Sequence, residues 1–480
     1  MNYLMNGRIL ALLSVLLGLS QIAPLVVAWN HQESVAAFEI PLSIALVLSV
    51  VGFVATRGAQ AHLQAKDGFF IVSFGWFLAT FLGALPYVAS GLLDWPGAIF
   101  EAAAGFTTTG SSVLTDIESW PQGVLFWRSM TQWLGGMGIL LLAIAVLPFL
   151  GVGGAQIMKA EVPGPSKDRL TPRLVTTARL LWGYYVILTV LAWGIFYEVG
   201  MSSLDAVNHA MTTLATGGFS TRNASFGAFS PAAQWWATLF MVVAGTNFLI
   251  YYQLLVKRNL LALNDVEFRV YLALVIGVGV FCGATLMPWD AFSFHALEAV
   301  LRNGLFQSAS ILTTTGFANT DWSTWPWISQ IMLISVMLIG GMAGSTAGGL
   351  KVVRLIVIGK VIARVVQTLI QPQRVMALHL GKVVLSHTVI EGCVALLAIL
   401  LGLIILSTLI LGGLGMDPVS AFTAGLTCLS NTGPGLGTVG PADNFALVPD
   451  LGKLWLALMM ITGRLEVFTV LILFSRRMWS

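Results

Sequence analysis

A short phrase centred on a Thr-Gly pair occurs four times along the chain, each time in the same surroundings. The copies are Thr108-Thr109-Gly110-Ser111, Ala215-Thr216-Gly217-Gly218, Thr314-Thr315-Gly316-Phe317 and Asn431-Thr432-Gly433-Pro434. A long apolar segment precedes each copy, a shorter one leads into it, and a second long apolar segment follows. The glycines of the Thr-Gly pairs are 107, 99 and 117 residues apart. This spacing suits a repeated unit of two helices with a hairpin between them, so the repeat constrains the whole fold.

The apolar segments indicate an integral membrane protein. Hydrophobic residues make up 57% of the chain and charged residues only 9%, which leaves too little polar surface for a soluble protein. Many apolar runs approach or exceed the roughly 18–20 residues that a helix needs to cross a bilayer. We therefore predict an all-α polytopic membrane protein. Ten spanning helices are expected near residues 8–28, 38–56, 69–91, 125–150, 178–200, 232–256, 269–288, 328–366, 385–413 and 452–474.

The charged residues are divided between the two sides of the predicted membrane. With the N-terminus inside, nineteen of the 24 Lys and Arg residues fall on the cytoplasmic side, as the positive-inside rule requires. Both termini are then cytoplasmic. Fourteen of the 21 acidic residues fall on the outer side. Carboxylates at an outer mouth would attract cations, although avoidance of an anionic inner leaflet would give the same distribution.

The shorter segments before the four phrases are predicted to be re-entrant half-helices. Residues 98–108, 204–215, 296–314 and 418–430 are apolar but too short to span. Asp205 and Asp417 stand in the first turn of two of them, which suits a helix N-terminus. Backbone that is not helical survives at membrane depth only where it is buried in protein or lines water. The four turns should therefore line a common cavity.

The phrases themselves are candidate cation sites. A dehydrated cation needs several oxygens in place of its water, and glycine allows extended backbone to direct successive carbonyls at one axis. A single Thr-Gly pair would be read as a helix C-cap, but four in one setting favour a pore. The predicted ion-binding residues are Thr108, Thr109, Gly110, Ala215, Thr216, Gly217, Thr314, Thr315, Gly316, Asn431, Thr432 and Gly433.

A glycine-rich stretch within residues 328–366 is a candidate gate. Five glycines fall between residues 340 and 349, and at about 1 kcal/mol each relative to alanine they should break the helix in mid-membrane. A mobile loop there could close the pore, whereas the spacing of the glycines also suits close helix packing. The predicted gate residues are Gly340, Gly341, Gly344, Ser345, Thr346, Gly348, Gly349 and Arg464.

Arg464 lies deep in the last predicted helix. A lone charge there costs roughly 2.5–3.5 kcal/mol on insertion scales, so it should face water or a partner. Its charge could raise the barrier to cations, or its guanidinium could hold the glycine-rich loop through carbonyl hydrogen bonds. The alternative is a structural ion pair with Glu466 or Glu391, although Glu466, two residues away, points to a different face.

These features resemble the membrane subunits of the Trk/Ktr/HKT superfamily of potassium transporters. The resemblance rests on the four Thr-Gly phrases, the glycine-rich run 340–349 and Gly463-Arg464, and it covers nearly the whole chain. It implies potassium selectivity, pseudo-fourfold symmetry around one pore, an intramembrane gating loop that works with Arg464, a homodimer, and a bacterial inner membrane. It also implies a cytosolic TrkA-like ring as regulatory partner, with NAD or ATP/ADP bound on that partner. The basic segments 159–179 and 351–382 could dock this ring or contact anionic lipid.

The resulting division of the chain has five parts. Residues 1–68 form two extra N-terminal helices, and the four repeats occupy residues 69–158, 159–264, 265–382 with the gating loop, and 383–480. Two alternatives remain open for function: a less selective K⁺/Na⁺ channel and a K⁺ symporter coupled to Na⁺ or H⁺. An enzyme is not expected, because no catalytic cluster stands out and the G-x-G-x-x-G match at 435–440 follows no strand. We expect no cofactor on this chain, no nucleic-acid partner, and no metal other than potassium at the Thr-Gly residues.

Overall fold

The computed structural model describes residues 1–60, 63–138, 174–288, 293–372, 377–381 and 383–479, and within them the fold is almost entirely helical. The α-helices are Tyr3–Ser20, Ile22–Asn30, Ala36–Ala55, Ala65–Ala89, Trp95–Phe106, Gln122–Gly136, Leu174–Glu198, Ser203–Leu214, Pro231–Ala244, Phe248–Leu255, Val266–Thr285, Phe294–Leu312, Trp327–Met337, Val352–Ile370, His387–Gly413, Pro418–Ser430, Asp450–Arg464, Phe468–Leu471 and Arg476–Trp479. Two short antiparallel strands, His379–Leu380 and Val383–Val384, form a hairpin. The predicted all-α class is confirmed.

Several of these helices are long and apolar enough to cross a membrane. Among the described residues there are six such spans, and up to eight if each of two sharply bent helix pairs counts as one. Ten were expected. Of the other two, 125–150 extends into residues outside the described ranges, and 328–366 is interrupted by non-helical backbone at its glycines.

The N-terminal helices pack onto the first repeat. Tyr3–Ser20 and Ala36–Ala55 contact each other, and both contact Ala65–Ala89. Small residues bring the first two close together: a Cβ added to Gly52 would lie 2.7 Å from the Cβ of Ala11. Small-residue contacts of this kind suit helix association in lipid, where hydrophobic burial offers little driving force.

Four short helices correspond to the predicted half-helices. We name them half-helix 1 (Trp95–Phe106), half-helix 2 (Ser203–Leu214), half-helix 3 (Phe294–Leu312) and half-helix 4 (Pro418–Ser430). Each begins at a residue whose side chain accepts a hydrogen bond from a backbone N–H of the first turn, which satisfies donors that the helix itself cannot. These N-caps are Asp94, Ser202, Ser293 and Asp417.

The half-helices are packed in a closed cyclic order. Each contacts the long helix that precedes it in sequence and the helix that follows it. Half-helices 2, 3 and 4 also contact the helix that follows the half-helix of the previous repeat. The order closes because half-helix 1 contacts Asp450–Arg464, in the last repeat. The four hairpins therefore converge on one centre.

Two predicted spans are not continuous helices, and this corrects the sequence analysis. The expected helix 232–256 stops at Ala244 and resumes at Phe248 with a bend of 94°, and the expected helix 452–474 stops at Arg464 and resumes at Phe468 with a bend of 108°. The second break contains Glu466 and Val467, both at positive φ. Beside each break a glycine packs on the end of a half-helix: a Cβ on Gly245 would lie 2.8 Å from Thr313 Cγ2, and one on Gly463 would lie 2.0 Å from the Leu429 carbonyl oxygen.

Candidate functional site

The backbone after each half-helix follows one repeated path, which we call Thr-Gly loops 1 to 4 (residues 107–111, 215–219, 313–317 and 430–434). In each loop, the residue at the helix C-cap or the one after it has left-handed backbone angles. A glycine at positive φ lies two residues further on. The left-handed residues are Thr108, Thr216, Thr314 and Asn431, with φ between 52° and 56°. The glycines are Gly110, Gly218, Gly316 and Gly433, with φ of 83°, 82°, 82° and 110°. Such angles strain residues with a Cβ and favour glycine.

The four glycines link the loops into a ring. A Cβ on Gly110 would lie 2.2 Å from the carbonyl oxygen of Gly217, and one on Gly218 would lie 2.1 Å from that of Thr315. A Cβ on Gly316 would lie 2.0 Å from the Thr432 carbonyl oxygen, and one on Gly433 would lie 2.8 Å from the Thr109 carbonyl oxygen. Each loop therefore lies against the next, and loop 4 lies against loop 1. The twelve residues predicted to bind the ion are brought together here.

The second loop has a register one residue later than the sequence phrase indicated. The Thr-Gly alignment matches Gly217 with Gly110, but Gly218 has the positive φ and the close contact with the next loop. Gly217 corresponds instead to Thr109, and Ala215 to Thr107. A sequence signal for this register exists, because Glu101, His209 and Gln307 each lie seven residues before the left-handed threonine of their repeat.

These three polar residues are buried and join half-helices 1, 2 and 3 to the chain that leaves their loops. Glu101 accepts hydrogen bonds from Ser112 Oγ and from Val113 N–H at 3.0 Å each. His209 Nε2 and Ser220 Oγ are 2.9 Å apart, and Gln307 donates to Asn319 at 3.1 Å. No functional role was predicted for them from the sequence. They hold the loops as a preformed structure.

A buried ion pair supports loops 1 and 2 together. Arg128 Nε lies 2.7 Å from Glu101 Oε1, and the side chains are 2% and 0% exposed. The same guanidinium donates to the Ser220 carbonyl at 3.0 Å and lies over the Phe219 ring at 3.9 Å. Arg128 thus joins half-helix 1 to the exit of loop 2.

A cavity opens from one face of the ring. All four positive-φ glycines line it, together with polar residues that include Arg222, Asn223 and Asp443. Charged groups lie around it: a hydrogen bond from Asn223 lowers the pKa of the nearby Asp116 carboxyl, which keeps it ionised. The sequence predicted carboxylates at an outer mouth, and the Asp443 carboxylate lines this cavity.

The glycine-rich loop, which we define as residues 338–351, lies at the opposite face of the ring. It interrupts the predicted helix between Trp327–Met337 and Val352–Ile370. Its Gly348 N–H donates to Thr314 Oγ1 at 2.7 Å, and a Cβ on Gly348 would lie 2.7 Å from the Ser430 carbonyl oxygen. Thr346 Oγ1 donates to the Leu214 carbonyl at 3.2 Å. The loop therefore contacts the inner ends of three of the four hairpins.

Two charged side chains from other segments hold the glycine-rich loop. Arg464 donates to the Thr346 carbonyl at 2.8 Å and to the carbonyls of Gly135 and Gly136 at 2.8 and 3.0 Å. Glu267 accepts from Ala343 N–H at 2.8 Å and from Val353 N–H at 3.2 Å, so it joins the interior of the loop to the first turn of the helix that follows.

The alternative expected for Arg464 was a structural ion pair with Glu466 or Glu391. Glu466 forms its ion pair with Arg354, at the start of the helix that follows the glycine-rich loop. The other gate candidates, Gly340, Gly341, Gly344, Ser345 and Gly349, all lie within the loop. Gly340 and Gly349 have positive φ and pack on each other, which brings the two stems of the loop together.

Comparison with known proteins gives matches over the full chain. The family described as TrkH, cation transport protein, matches residues 36–480. The Trk system potassium uptake protein TrkH of Salmonella typhimurium is 37% identical, with 100% of both chains covered, and the Escherichia coli K12 protein of that name is equally similar. The protein TrkG of E. coli K12 is 32% identical over 97% of this chain and 96% of its own. The crystal structure of the potassium transporter TrkH from Vibrio parahaemolyticus superposes with a TM-score of 0.88 at 32% identity, covering all of both chains.

Proposed function

The chain belongs to the TrkH family of cation transport proteins, and on that premise we propose that it is the ion-conducting membrane subunit of a potassium uptake system in a bacterial inner membrane. This family is one of transporters and not of enzymes. The relatives are named as potassium uptake proteins. The observation that carries the proposal is the closed ring of Thr-Gly loops, in which glycine backbone from four hairpins meets at one point.

The ring offers oxygens for a dehydrated cation. Carbonyl groups of the four loops and the partial negative charge at the half-helix C-termini both favour a cation at the centre. Within the four Thr-Gly loops, the buried Oγ1 of Thr108 and the buried Oδ1 of Asn431 have no hydrogen-bond partner. Buried polar atoms are seldom left unsatisfied. Coordination of the transported potassium ion would give these two oxygens a partner.

The glycine-rich loop acts as the gate in this proposal. Its contact with Thr314 and the loop-4 backbone puts protein where an ion leaving the ring would pass. Arg464 holds the loop there and adds a positive charge below the ring. Conduction then requires the loop to withdraw, and loss of either the loop or Arg464 would increase cation flux.

The glycine-rich loop and the helix that follows it also suggest how the gate is regulated by a partner. The helix Val352–Ile370 continues directly from the glycine-rich loop, so a force applied to its far end would reach the gate. We propose that a cytosolic TrkA-like ring, carrying NAD or ATP/ADP, binds the basic segments and supplies that force, and that the chain works as a homodimer. Of these segments, residues 159–173, 373–376 and 382 lie outside the described ranges. The name Trk system, carried by the relatives, supports more than one component.

The unequal loops favour one alternative, which is weaker discrimination between potassium and sodium. Loop 2 has Gly217 where loops 1, 3 and 4 have threonine, and loop 4 has Asn431 where the others have threonine. The four positions around the ion are thus chemically different. A channel that passes both ions, or a symporter coupled to Na⁺ or H⁺, would use the same ring.

Flux into vesicles tests the proposal. The purified full chain is reconstituted into liposomes loaded with potassium, and uptake of ⁸⁶Rb⁺ is measured against external K⁺, Na⁺ and Cs⁺. We expect competition by K⁺ and much weaker competition by Na⁺. Equal competition would support the unselective alternative, and uptake that requires an Na⁺ or H⁺ gradient would support the symporter. If uptake were no greater than in empty vesicles, both for the full chain and for a variant without the glycine-rich loop, the selective channel, the unselective channel and the symporter would all be contradicted.

A further inference from the structure

Loop 2 lacks a support that the other three loops share. In those loops two hydroxyls, one at the half-helix end and one two residues later, are hydrogen-bonded to each other. The pairs are Thr107 with Thr109 at 2.7 Å, Thr313 with Thr315 at 2.7 Å, and Ser430 with Thr432 at 3.0 Å. The corresponding residues of loop 2 are Ala215 and Gly217, which have no hydroxyl.

The side chain of Gln132 occupies the space that this difference leaves. A Cβ on Gly217 would lie 2.4 Å from both Cδ and Oε1 of Gln132, so a side chain at 217 and the amide of Gln132 exclude each other. Gln132 is completely buried. Its Nε2 donates to the Gly217 carbonyl at 2.6 Å, and its Oε1 accepts from Phe219 N–H at 3.1 Å. The amide thus holds loop 2 on both sides of Gly218.

The support comes from outside the repeat that contains loop 2. Gln132 lies in the helix Gln122–Gly136 of the first repeat. The carbonyl that it holds is also the one against which Gly110 of loop 1 packs. Gln132 therefore holds in place the contact between loops 1 and 2. Because all four loops are linked in a ring, displacement of this carbonyl changes the geometry at the centre.

We propose that Gln132 is a positioning residue that sets the ion selectivity of the ring, in place of the hydroxyl pair that loop 2 lacks. The inference rests on the proposed function. Preference for a dehydrated potassium ion over sodium depends on the number and placement of the coordinating oxygens. With the amide removed, the Gly217 carbonyl is free to shift. The preference for potassium over sodium should then decrease more than the total cation flux does.

The experiment measures selectivity in three variants. Gln132→Ala removes the support. Gln132→Glu keeps the shape and the acceptor for Phe219 N–H but puts an oxygen against the Gly217 carbonyl. Gly217→Ser with Gln132→Ala restores a side chain and a hydroxyl to loop 2 in the space that the amide vacates. The matched control is Gln330→Ala, since Gln330 has a buried amide on Trp327–Met337 that donates to the Ser323 and Trp325 carbonyls, outside the Thr-Gly loops.

The expected result is a loss of selectivity at position 132 alone. The ratio of Na⁺ to K⁺ needed to halve ⁸⁶Rb⁺ uptake should fall about tenfold in Gln132→Ala and in Gln132→Glu, remain at the wild-type value in Gln330→Ala, and recover in part in the double variant. An unchanged ratio in folded Gln132→Ala, judged by a monodisperse elution profile, would overturn the inference. If that variant does not fold, an unchanged ratio in Gln132→Glu would do so. Absence of selectivity in the wild type would instead contradict the proposed function.

Discussion

The guanidinium of Arg464 donates a hydrogen bond of 2.8 Å to the carbonyl oxygen of Thr346, and so joins the last repeat to the glycine-rich loop of the third. The same group reaches the carbonyls of Gly135 and Gly136 in the first repeat. One side chain thus connects three segments that are far apart in sequence. Arg464 is half-buried, and three carbonyl oxygens replace part of the water around its charge.

Replacement of this arginine should open the proposed gate. A hydrogen bond to a charged group contributes about 1.5–3 kcal/mol, and every 1.4 kcal/mol is a factor of about ten in an equilibrium. We expect Arg464→Ala to raise ⁸⁶Rb⁺ uptake by roughly tenfold or more, measured in vesicles. Arg258→Ala, at an exposed position, serves as the control and should have no effect. Unchanged or lower uptake in folded Arg464→Ala would argue against the gate.

Changes in the glycine-rich loop itself should act in the same direction. A Cβ at Gly348 would lie 2.7 Å from the Ser430 carbonyl oxygen and 2.9 Å from Asn431 Cβ, so Gly348→Ala should push the loop away from the ring. Deletion of residues 344–348 removes it. Both variants should raise basal uptake, the deletion more strongly. Gly359→Ala is the matched control, since no atom lies within 4 Å of its added Cβ, and flux equal to the wild type in the deletion variant would refute the prediction.

The register of loop 2 can be tested at Gly218. Its φ is 82°, and a Cβ there would lie 2.1 Å from the Thr315 carbonyl oxygen. Left-handed backbone costs a residue with a Cβ roughly 1–2 kcal/mol, and the overlap adds to this. Gly218→Ala should therefore reduce potassium-competed uptake at least tenfold. Gly412→Ala, where the added Cβ meets nothing within 4 Å, should leave uptake unchanged, and normal uptake in Gly218→Ala would show that loop 2 tolerates a side chain there.

The buried ion pair should matter for stability. Glu101→Gln would leave the Arg128 guanidinium, 2% exposed, without its counter-charge, and breaking a buried pair typically costs about 3–5 kcal/mol. We expect a clearly lower midpoint of thermal unfolding in detergent. Glu298→Gln breaks a pair whose carboxylate is 40% exposed, and such pairs contribute about 0–1 kcal/mol. If the two variants melted at the same temperature, the Glu101–Arg128 pair would have no special structural role.

Much of this architecture could be predicted from the sequence, because apolar length and repetition are visible without coordinates. The half-helix positions, the turns at the Thr-Gly pairs and the interruption at 340–349 all follow from length, charge at the first turn and glycine content. These are local properties. The convergence of the four turns was inferred because non-helical backbone at membrane depth must be buried in protein or line water.

The features that sequence reasoning missed depend on contacts between repeats. The bend after Ala244 has no proline, and Gly245 there packs so closely on the next repeat that a Cβ would lie 2.6 Å from the Tyr271 hydroxyl and 2.8 Å from Thr313 Cγ2. The side chain of Gln132 gave no signal, since its importance comes from the glycine at position 217, 85 residues later. The register of loop 2 was misread because two consecutive glycines follow Thr216 and the Thr-Gly pair alone was used for the alignment. The seven-residue spacing from His209 to Thr216, which matches that from Glu101 to Thr108, would have given the correct register.

The four-loop ring is made from one polypeptide, and this has an evolutionary consequence. In an assembly of identical subunits, any substitution appears at every corner at once and must suit all of them. A single chain with four tandem copies can change one corner and leave the others intact. Gln132 beside the second copy, the glycine-rich loop after the third and Arg464 after the fourth illustrate how tandem copies in one chain permit differences that strict symmetry would forbid.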